Sequence, residues 1–283
     1  MQNSVSIVLV AFNPDYNILN RCLNSIPNDI KVLIIDNSQN LKINKINNFS
    51  KKEISIIKSE NYGNGHAINL GLELSKTKYI LYLDLDTILT ENFIYKILEH
   101  SSKIEDFAIL APCLKNYSYK KQDYKFNINL SENYHQMNFI EGAVMFFNKE
   151  KLNKYNIKFD KNIFLYWEES DLFFDCHKKK QKIFLIKDLF AYHEGGASIN
   201  KEENPDIELN RNWHIMWSKF YYYKKNYNFF IAFKKTIKHF LSALIKFIIY
   251  SITKNKKKDI YFERLNGLYN AYVGKNSWRR PKI

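Results

Sequence analysis

The apolar residues of the first 110 positions alternate between two periods. Val5–Val10 and Lys31–Ile35 are continuous runs rich in β-branched residues, the pattern of strands buried on both faces. Between them, Ile18, Leu19, Cys22 and Leu23 recur at helical spacing within Tyr16–Ser25. Strand, helix, strand in that order is a βαβ unit and requires a parallel sheet. The rhythm repeats. Ile54–Lys58 reads as a strand, His66–Ser75 as a helix with Ile68, Leu72 and Leu74 inward, and Tyr79–Leu83 as a strand. Glu91–Lys103 reads as a helix with Thr90 as its N-cap, and Phe107–Ala111 as a further strand. This is one half of a doubly wound α/β fold.

After Pro112 the rhythm changes. Residues 115–137 are polar and aromatic without a period, which predicts a loop or a peripheral hairpin. Asn138–Phe147 is apolar and β-rich, Glu168–Lys178 predicts a short helix, and Lys182–Ile186 a strand. From Asp206 the pattern is helical almost to the end, with a break at Asn226–Asn228. No internal repeat and no Gly/Ser linker divides the chain.

Composition fits this picture and adds one asymmetry. With 283 residues, 46% hydrophobic and 25% charged, the chain can bury a sizeable core, which excludes a disordered or fibrous protein. The net charge is +14. Residues 210–283 hold 17 of the 43 basic residues and two of the 29 acids, Asp259 and Glu263, leaving 26 basic and 27 acidic residues before them. The excess belongs to the tail. A near-neutral body with a basic tail points to a core held against something anionic. The three cysteines, Cys22, Cys113 and Cys176, lack metal spacing and read as reduced thiols of a cytoplasmic protein. The amino terminus lacks a charged n-region, and Val5–Phe12 is too short for a signal peptide's apolar core. No run of 18 uncharged apolar residues predicts a spanning helix.

Five places carry candidate chemistry. The strand Tyr79–Leu83 runs into Asp84-Leu85-Asp86, two carboxylates at a strand's carboxyl end, where open α/β sheets bind ligands. Two hard oxygen donors suit Mg²⁺ or Mn²⁺ bridging to phosphates; a solvated turn would look the same. Asn61-Tyr-Gly63-Asn64-Gly65-His-Ala-Ile-Asn69 is a glycine-containing loop opening a helix, fit for a diphosphate or simply a β–α turn. It is neither a P-loop nor a dinucleotide fingerprint. Asp36-Asn37 ends the second strand, where an acid can accept from a base or ribose or merely shape a turn. Trp167-Glu168-Glu169-Ser-Asp171 crowds three carboxylates beside an aromatic suited to sugar stacking. Mutual repulsion suits one of them to act as general base; a helix amino terminus also favours acids. His193, followed by Glu194-Gly195-Gly196, ends another apolar stretch and can ligate a metal or contact a phosphate.

Taken in order, these features resemble the inverting family 2 glycosyltransferases of GT-A fold. They are most similar to the rhamnosyltransferase-like branch that builds bacterial surface polysaccharides. The resemblance spans about residues 4–200. It rests on Val8–Asn13, Ile35–Ser38, Asn61-x-Gly63-x-Gly65-x-Ala67-x-Asn69-x-Gly71, Asp84-x-Asp86, Glu141-Gly142-Ala143-Val144, Glu168-Glu169-x-Asp171 and His193-x-Gly195-Gly196-x-Ser198. It implies a GT-A catalytic domain over 1–205, with a nucleotide-binding half (1–112) and an acceptor half (113–205), and a basic amphipathic helical extension over 206–283. It implies that Ala11, Phe12, Asn13 and Asp36 hold base and ribose, and that Asn61, Gly63, Asn64 and Asn69 lie near the nucleotide and diphosphate. Asp86 would ligate the metal, with Asp84 nearer the ribose or a metal water, Leu85 between them, and His193 completing the shell. Glu141, Gly142, Ala143 and Trp167 would line the sugar and acceptor cleft. Glu169 stands where the family usually has the aspartate base, so Glu169, Asp171 and Glu168 all remain candidates. Asp175 stands where the family often has an arginine, which implies that Lys178 or Lys179 substitutes.

The implied reaction moves a hexose from UDP, or rhamnose from dTDP, to a hydroxyl of a glycan acceptor. The acceptor would be lipid-linked, in lipopolysaccharide, O-antigen or capsule synthesis at the inner face of the bacterial cytoplasmic membrane. The tail fits such a setting. Phe230, Phe233, Ile237, Phe240, Leu241, Leu244 and Ile248 form one helical stripe, with Lys235, Lys238, His239 and Lys246 mostly off it and Lys234 at its edge. Such a helix suits an anionic membrane surface, or packs on the protein's own core. Two rival classes remain. A nucleic-acid-binding module would use Trp213, Trp217 and Tyr221–Tyr223 as stacking platforms and would not need the acids, whereas the resemblance implies no nucleic-acid partner. A nucleotidyltransferase would want a basic Gly-rich loop after the first strand, where this chain has Ala11-Phe12-Asn13-Pro14.

Overall fold

The computed structural model describes residues 4–47, 49–104, 106–116, 133–195 and 205–281. The chain divides into two units. One comprises Met1–Asn61, Ala67–Lys158 and Phe173–Asn200, the other Tyr62–His66, Phe159–Leu172 and Lys201–Ile283.

Among the described residues the first unit is built on a nine-stranded sheet. Its strands are β1 (Val5–Ala11), β2 (Lys31–Asp36), β3 (Ile54–Lys58), β4 (Tyr79–Leu83), β5 (Thr87–Leu89), β6 (Ile109–Asn116), β7 (Tyr134–Gln136), β8 (Val144–Asn148) and β9 (Ile183–His193). They lie in the order β3-β2-β1-β4-β8-β6-β9-β5, with β7 on β9. The strands β3-β2-β1-β4 are parallel, as the βαβ rhythm requires. Ala11 is level with Asp36 and Leu9 with Leu83, so these strands end together at one edge. Beyond β4 the sheet changes sense. β8 runs antiparallel to β4 and β6, while β9 is parallel to β6 and antiparallel to β5 and β7. The expected strand at Lys182–Ile186 continues to His193, because its far end pairs with the short β5. Most of the expected loop, residues 117–132, and Gly196 and Ser198 of the last motif lie outside the described residues.

The shorter helices are α1 (Tyr16–Asn24), α2 (Asn64–Leu74), α3 (Phe93–Lys103), α4 (Lys149–Lys154) and α5 (Glu168–Lys178); the first residues of α2 and α5 belong to the other unit. Asp15 caps α1 by accepting from the Asn17 and Ile18 N–H groups. Thr90 does not cap α3. That helix starts at Phe93 behind a left-handed Asn92, and the Thr90 hydroxyl donates to the Phe190 carbonyl at 2.7 Å instead. Gly71 lets α2 lie against β1, since a Cβ there would collide with Val8. Leu74, by contrast, faces solvent. The core runs from Ile7, Leu9 and Leu19 through Leu81, Leu83 and Ile97 to Phe146 and Ile186. The three cysteines are free thiols, and burial pushes Cys22 and Cys176 up to about 12.

The second unit contains three long helices, α6 (Pro205–Asn226), α7 (Phe229–Ile252) and α8 (Lys258–Tyr272). The break between α6 and α7 falls where the sequence predicts it, because Asn228 caps α7 by accepting from Ile231 N–H. Trp213, Trp217, Phe220, Ala232 and Leu268 form the core. Gly267 is required there, since a Cβ would strike the Trp213 carbonyl. The terminal segment is pinned by Arg279, whose guanidinium reaches Asp206 and Glu263 at 2.9 and 3.0 Å. Among the described residues no helix is long and apolar enough to cross a membrane.

Candidate active site

The first set of functional side chains gathers where β4 ends. Residues 79–83 form a buried strand, and the next four make a turn closed by Thr87 N–H on the Asp84 carbonyl at 3.1 Å. The turn is held by its neighbours. Asp84 N–H donates to the Ala143 carbonyl, and Glu194 N–H to the Asp86 carbonyl. β5 then pairs Thr87 with His193, which brings a histidine 107 positions downstream of Asp86 beside it. The His193 Nε2 atom lies 3.3 Å from Asp86 Oδ1 and 3.7 Å from Asp84 Oδ2. Its Nδ1 lies 3.7 Å from Glu141 Oε1. Glu141, expected in the sugar and acceptor cleft, is therefore also a neighbour of the metal-binding candidates.

The three donors of Asp84, Asp86 and His193 lie within 4.8 Å of one another. An octahedral ion with bonds of about 2.1 Å spans donors up to about 4.2 Å apart, so only a small approach is needed to hold one. Two carboxylates and an imidazole are a donor set suited to Mg²⁺ or Mn²⁺. The electrostatics agree. Loss of hydration and the charge of Asp86 push the Asp84 carboxyl up to about 6, against the pull of His193 and the Tyr82 hydrogen bond. Burial alone would lower the His193 imidazole. The neighbouring carboxylates of Asp86, Glu141 and Asp84 outweigh that and raise it to about 10. The clustered acids thus favour a positive charge in their midst.

Three flanking contacts were not evident from the sequence. Tyr82 donates its hydroxyl to Asp84 Oδ1 at 2.6 Å. It stands two residues before Asp84, and the two-residue period of a strand is the signal that could have shown it. Cys22 lies against the Asp84 carbonyl from α1. Arg21 makes a two-pronged ion pair with Glu194, next to His193, at 2.7 and 2.8 Å. Leu85 is a core residue, leaving only its backbone for a ligand.

The nucleotide-binding candidates of this unit lie at the same sheet edge. Ala11 ends β1, and its carbonyl accepts from Asn37 N–H at 2.8 Å. Phe12 follows half-buried, and Asn13 takes a left-handed φ of 44° and accepts from Asn40. Asp36 is fully buried. Its oxygens accept from the Ser38 N–H and hydroxyl and from Leu41 N–H, at 2.6–3.0 Å. Asp36 thus shapes the 37–41 turn, the role of an Asx-turn residue. Asn61 and Asn69 are half-buried on either side of the glycine-containing segment.

The second set lies in the other unit. Gly63 has a φ of +107° and touches Phe164 so closely that a Cβ would strike that carbonyl, which also accepts from Asn64 N–H at 3.1 Å. Gly65 is pressed on Phe159 in the same way. These glycines are therefore required for close packing, whatever they bind. Asn64 also donates to Glu168 Oε1 at 3.4 Å. Tyr166 and Trp167 both take left-handed φ values, 63° and 71°, just before α5 begins. Such backbone costs roughly 1–2 kcal/mol per residue and marks a corner held by its surroundings. Trp167 packs on Tyr222 and Tyr223, with Lys219 near its ring.

The three acids after that corner differ. Asp171 is buried, with Oδ2 receiving Lys225 at 2.6 Å and Oδ1 receiving Asn226 at 2.9 Å. Lys225 also bridges to Asp160 at 2.7 Å. Glu168 is buried, and Glu169 is half-exposed. The cation on this cluster is Lys225 of α6, not Lys178 or Lys179. Lys179 is spent on Asp175 and the Asn156 carbonyl, one helical turn away on α5. No local pattern could have identified Lys225, which lies 54 positions from Asp171.

A sequence profile described as Glycosyl transferase family 2 matches residues 6–164, more than half of the chain. Solved structures share its fold at low identity. Residues 1–349 of S. aureus TarS in complex with UDP-GlcNAc match with a TM-score of 0.59 and 11% identity, over 96% of this chain and 92% of that one. GalNAc-T7 with UDP, GalNAc and Mn²⁺ matches with a TM-score of 0.57 and 13% identity, over 78% of this chain and 50% of that one. A longer S. aureus TarS chain matches with a TM-score of 0.55 and 13% identity over 77% of this chain, which spans 39% of that relative. No curated protein matches the sequence.

Proposed function

The chain belongs to glycosyl transferase family 2, and from that premise we propose that it transfers a sugar from a nucleotide-sugar donor to a hydroxyl of a glycan acceptor, inverting the anomeric carbon. The observation that carries this reading is the Asp84–Asp86–His193 cluster at the carboxyl edge of β4, whose two aspartates lie within the matched segment and whose histidine joins them from β9. A divalent cation, Mg²⁺ or Mn²⁺, supplies charge stabilisation for the departing nucleoside diphosphate. Asp86 and His193 would hold it, with Asp84, oriented by Tyr82, as a further ligand. The segment Ala11–Asn13 and the turn built on Asp36 receive the base and ribose. Asn61, Gly63, Asn64, Asn69 and the Leu85 backbone serve the nucleotide and diphosphate, and Glu141, Gly142, Ala143 and Trp167 the sugar and acceptor.

Glu169 takes the proton from the acceptor hydroxyl. The freed oxygen lone pair forms the new bond to the anomeric carbon as the bond to the diphosphate breaks. The burial and pairing of Asp171 with Lys225, and the burial of Glu168, favour Glu169 among the three acids. The TarS structure holds UDP-GlcNAc and the GalNAc-T7 structure holds UDP, which supports UDP-hexose; the rhamnosyltransferase-like motifs keep dTDP-L-rhamnose as the second candidate. The acceptor is a lipid-linked glycan of bacterial lipopolysaccharide, O-antigen or capsule, which places the reaction at the inner face of the cytoplasmic membrane.

A panel of sugar nucleotides with Mn²⁺ or Mg²⁺, scored for donor hydrolysis and thermal stabilisation, tests the reading. One donor should stabilise the chain and be hydrolysed only with metal. Absence of any response across UDP- and dTDP-sugars would refute it.

A further inference from the structure

The α7 helix has a face that the rest of the second unit does not use. Its inward seam is Ala232, Thr236, Phe240 and Ala243, which meets α6 and α8; Thr236 and Phe240 both touch Tyr272. Phe240 thus leaves the apolar stripe that the sequence suggests. Of the rest of that stripe, Phe230, Leu241, Leu244 and Ile248 face outward, together with Ile245 and Ile252, while Ile237 is half-buried and Phe233 also packs on Tyr272. Phe230 is 83% exposed and Ile252 77%. At 100° per residue, Phe230, Leu241, Leu244, Ile245, Ile248 and Ile252 fall within one arc less than half the helix circumference wide. Exposed Lys234 also falls in this arc, one turn after Phe230, while from Leu241 to Ile252 the arc is apolar without interruption, an exposed apolar patch of the kind that marks an interaction surface.

Charge identifies what covers it. Lys235, Lys238 and Lys246 flank one side of the arc, and Lys254, Lys256, Lys257 and Lys258 follow its carboxyl end, all exposed. No acid occurs from residue 209 to 258. A second copy of the same face would therefore bring lysines with no counter-charge to meet them. The lysines along α7 also bar it from crossing a bilayer. An apolar face beside a cationic flank is the pattern of a helix lying in the plane of an anionic interface.

We propose that α7 is an interfacial membrane-binding helix. It inserts the Phe230–Ile252 face among acyl chains and sets its lysine flank against anionic headgroups. This deepens the setting proposed for the acceptor, but its test needs neither donor nor metal, so either reading can fail alone.

The full chain is floated with phosphatidylcholine vesicles and with vesicles containing about a third phosphatidylglycerol, at about 0.1 M and about 1 M salt. Wild type should bind the anionic vesicles at low salt and lose at least about tenfold in affinity on neutral ones. Ile248→Glu and Phe230→Ser, at exposed positions, should each weaken binding about tenfold without changing the circular dichroism or the melting temperature. Ile248→Trp should shift its emission to the blue only when anionic vesicles are present. The proposal is overturned if wild type fails to float at low salt, or if the Ile248→Glu protein floats as wild type does. It is also overturned if sedimentation shows a dimer that Ile248→Glu splits, which would give this face to a second copy.

Discussion

Lys225 of α6 places its ammonium 2.6 Å from Asp171 Oδ2 and 2.7 Å from Asp160 Oδ2, bridging a buried and a half-buried acid. Asn226 closes the other Asp171 oxygen, and Tyr221 donates to Asp160 at 3.1 Å. Removing the cation leaves both carboxylates, one of them buried, without their shared counter-charge. Because Lys225 is itself 37% exposed, Lys225→Met should cost about 2 kcal/mol, below the value for a fully buried pair. Urea unfolding measures it, and an unchanged midpoint would show that the bridge carries no stability.

Glu169 and Asp171 should separate cleanly. Glu169→Gln should lower transfer by about 10²–10⁴-fold while donor binding and the melting temperature stay near wild type. Asp171→Asn should lower the melting temperature, because it leaves Lys225 facing a neutral amide. Near-normal transfer by the Glu169→Gln protein would move the base elsewhere.

Metal binding should depend on the Tyr82 hydroxyl as well as on the ligands. Asp86→Asn should abolish stabilisation by Mn²⁺, which amounts to about 2.7 kcal/mol at a hundredfold excess over the dissociation constant. Tyr82→Phe releases Asp84 and should weaken the metal by about 10–100-fold. Isothermal titration with Mn²⁺ reads both; equal affinities for wild type and Tyr82→Phe would remove Tyr82 from the site.

His214 sets a pH dependence within the second unit. It is fully buried between Phe164 and Trp213, with Nε2 2.9 Å from the Arg279 carbonyl. Burial, reinforced by the Arg280 and Arg279 charges, lowers it to about 3, against the pull of that carbonyl. Above the ordinary histidine range neither folded nor unfolded chain holds the proton. Below about 6.5 the unfolded chain binds it and the folded chain does not, so stability falls as pH drops toward about 3. Thermal melts across this range should show a shallower slope for His214→Gln than for wild type.

Gly63 should not tolerate a side chain. Gly63→Ala meets both a left-handed φ of +107° and the Phe164 carbonyl, so it should destabilise by more than about 1 kcal/mol. A melting temperature equal to wild type would show that the 62–66 segment can move away from residues 159–164.

Local periodicity was enough to read β1 to β4, α5 and the α6–α7 break, because strand and helix spacing are properties of neighbouring residues. The motif Asp84-x-Asp86 was legible for the same reason, as was its place at a strand end. Contacts between distant segments were not. The sequence could nominate His193 as a ligand, but only the pairing of β5 with β9 sets it beside Asp86 and brings Glu141 against its other nitrogen. The resemblance put Glu169 first and left Asp171 and Glu168 as candidates, and only the fold pairs Asp171 with Lys225 and buries Glu168. Thr90 looks like a cap until its hydroxyl meets Phe190, and Phe240 belongs to the outward stripe until Tyr272 claims it. The residue types and their period are written in the chain itself. Which polar groups satisfy one another, and which apolar face stays open, depends on segments that meet only after the chain has closed its long loops.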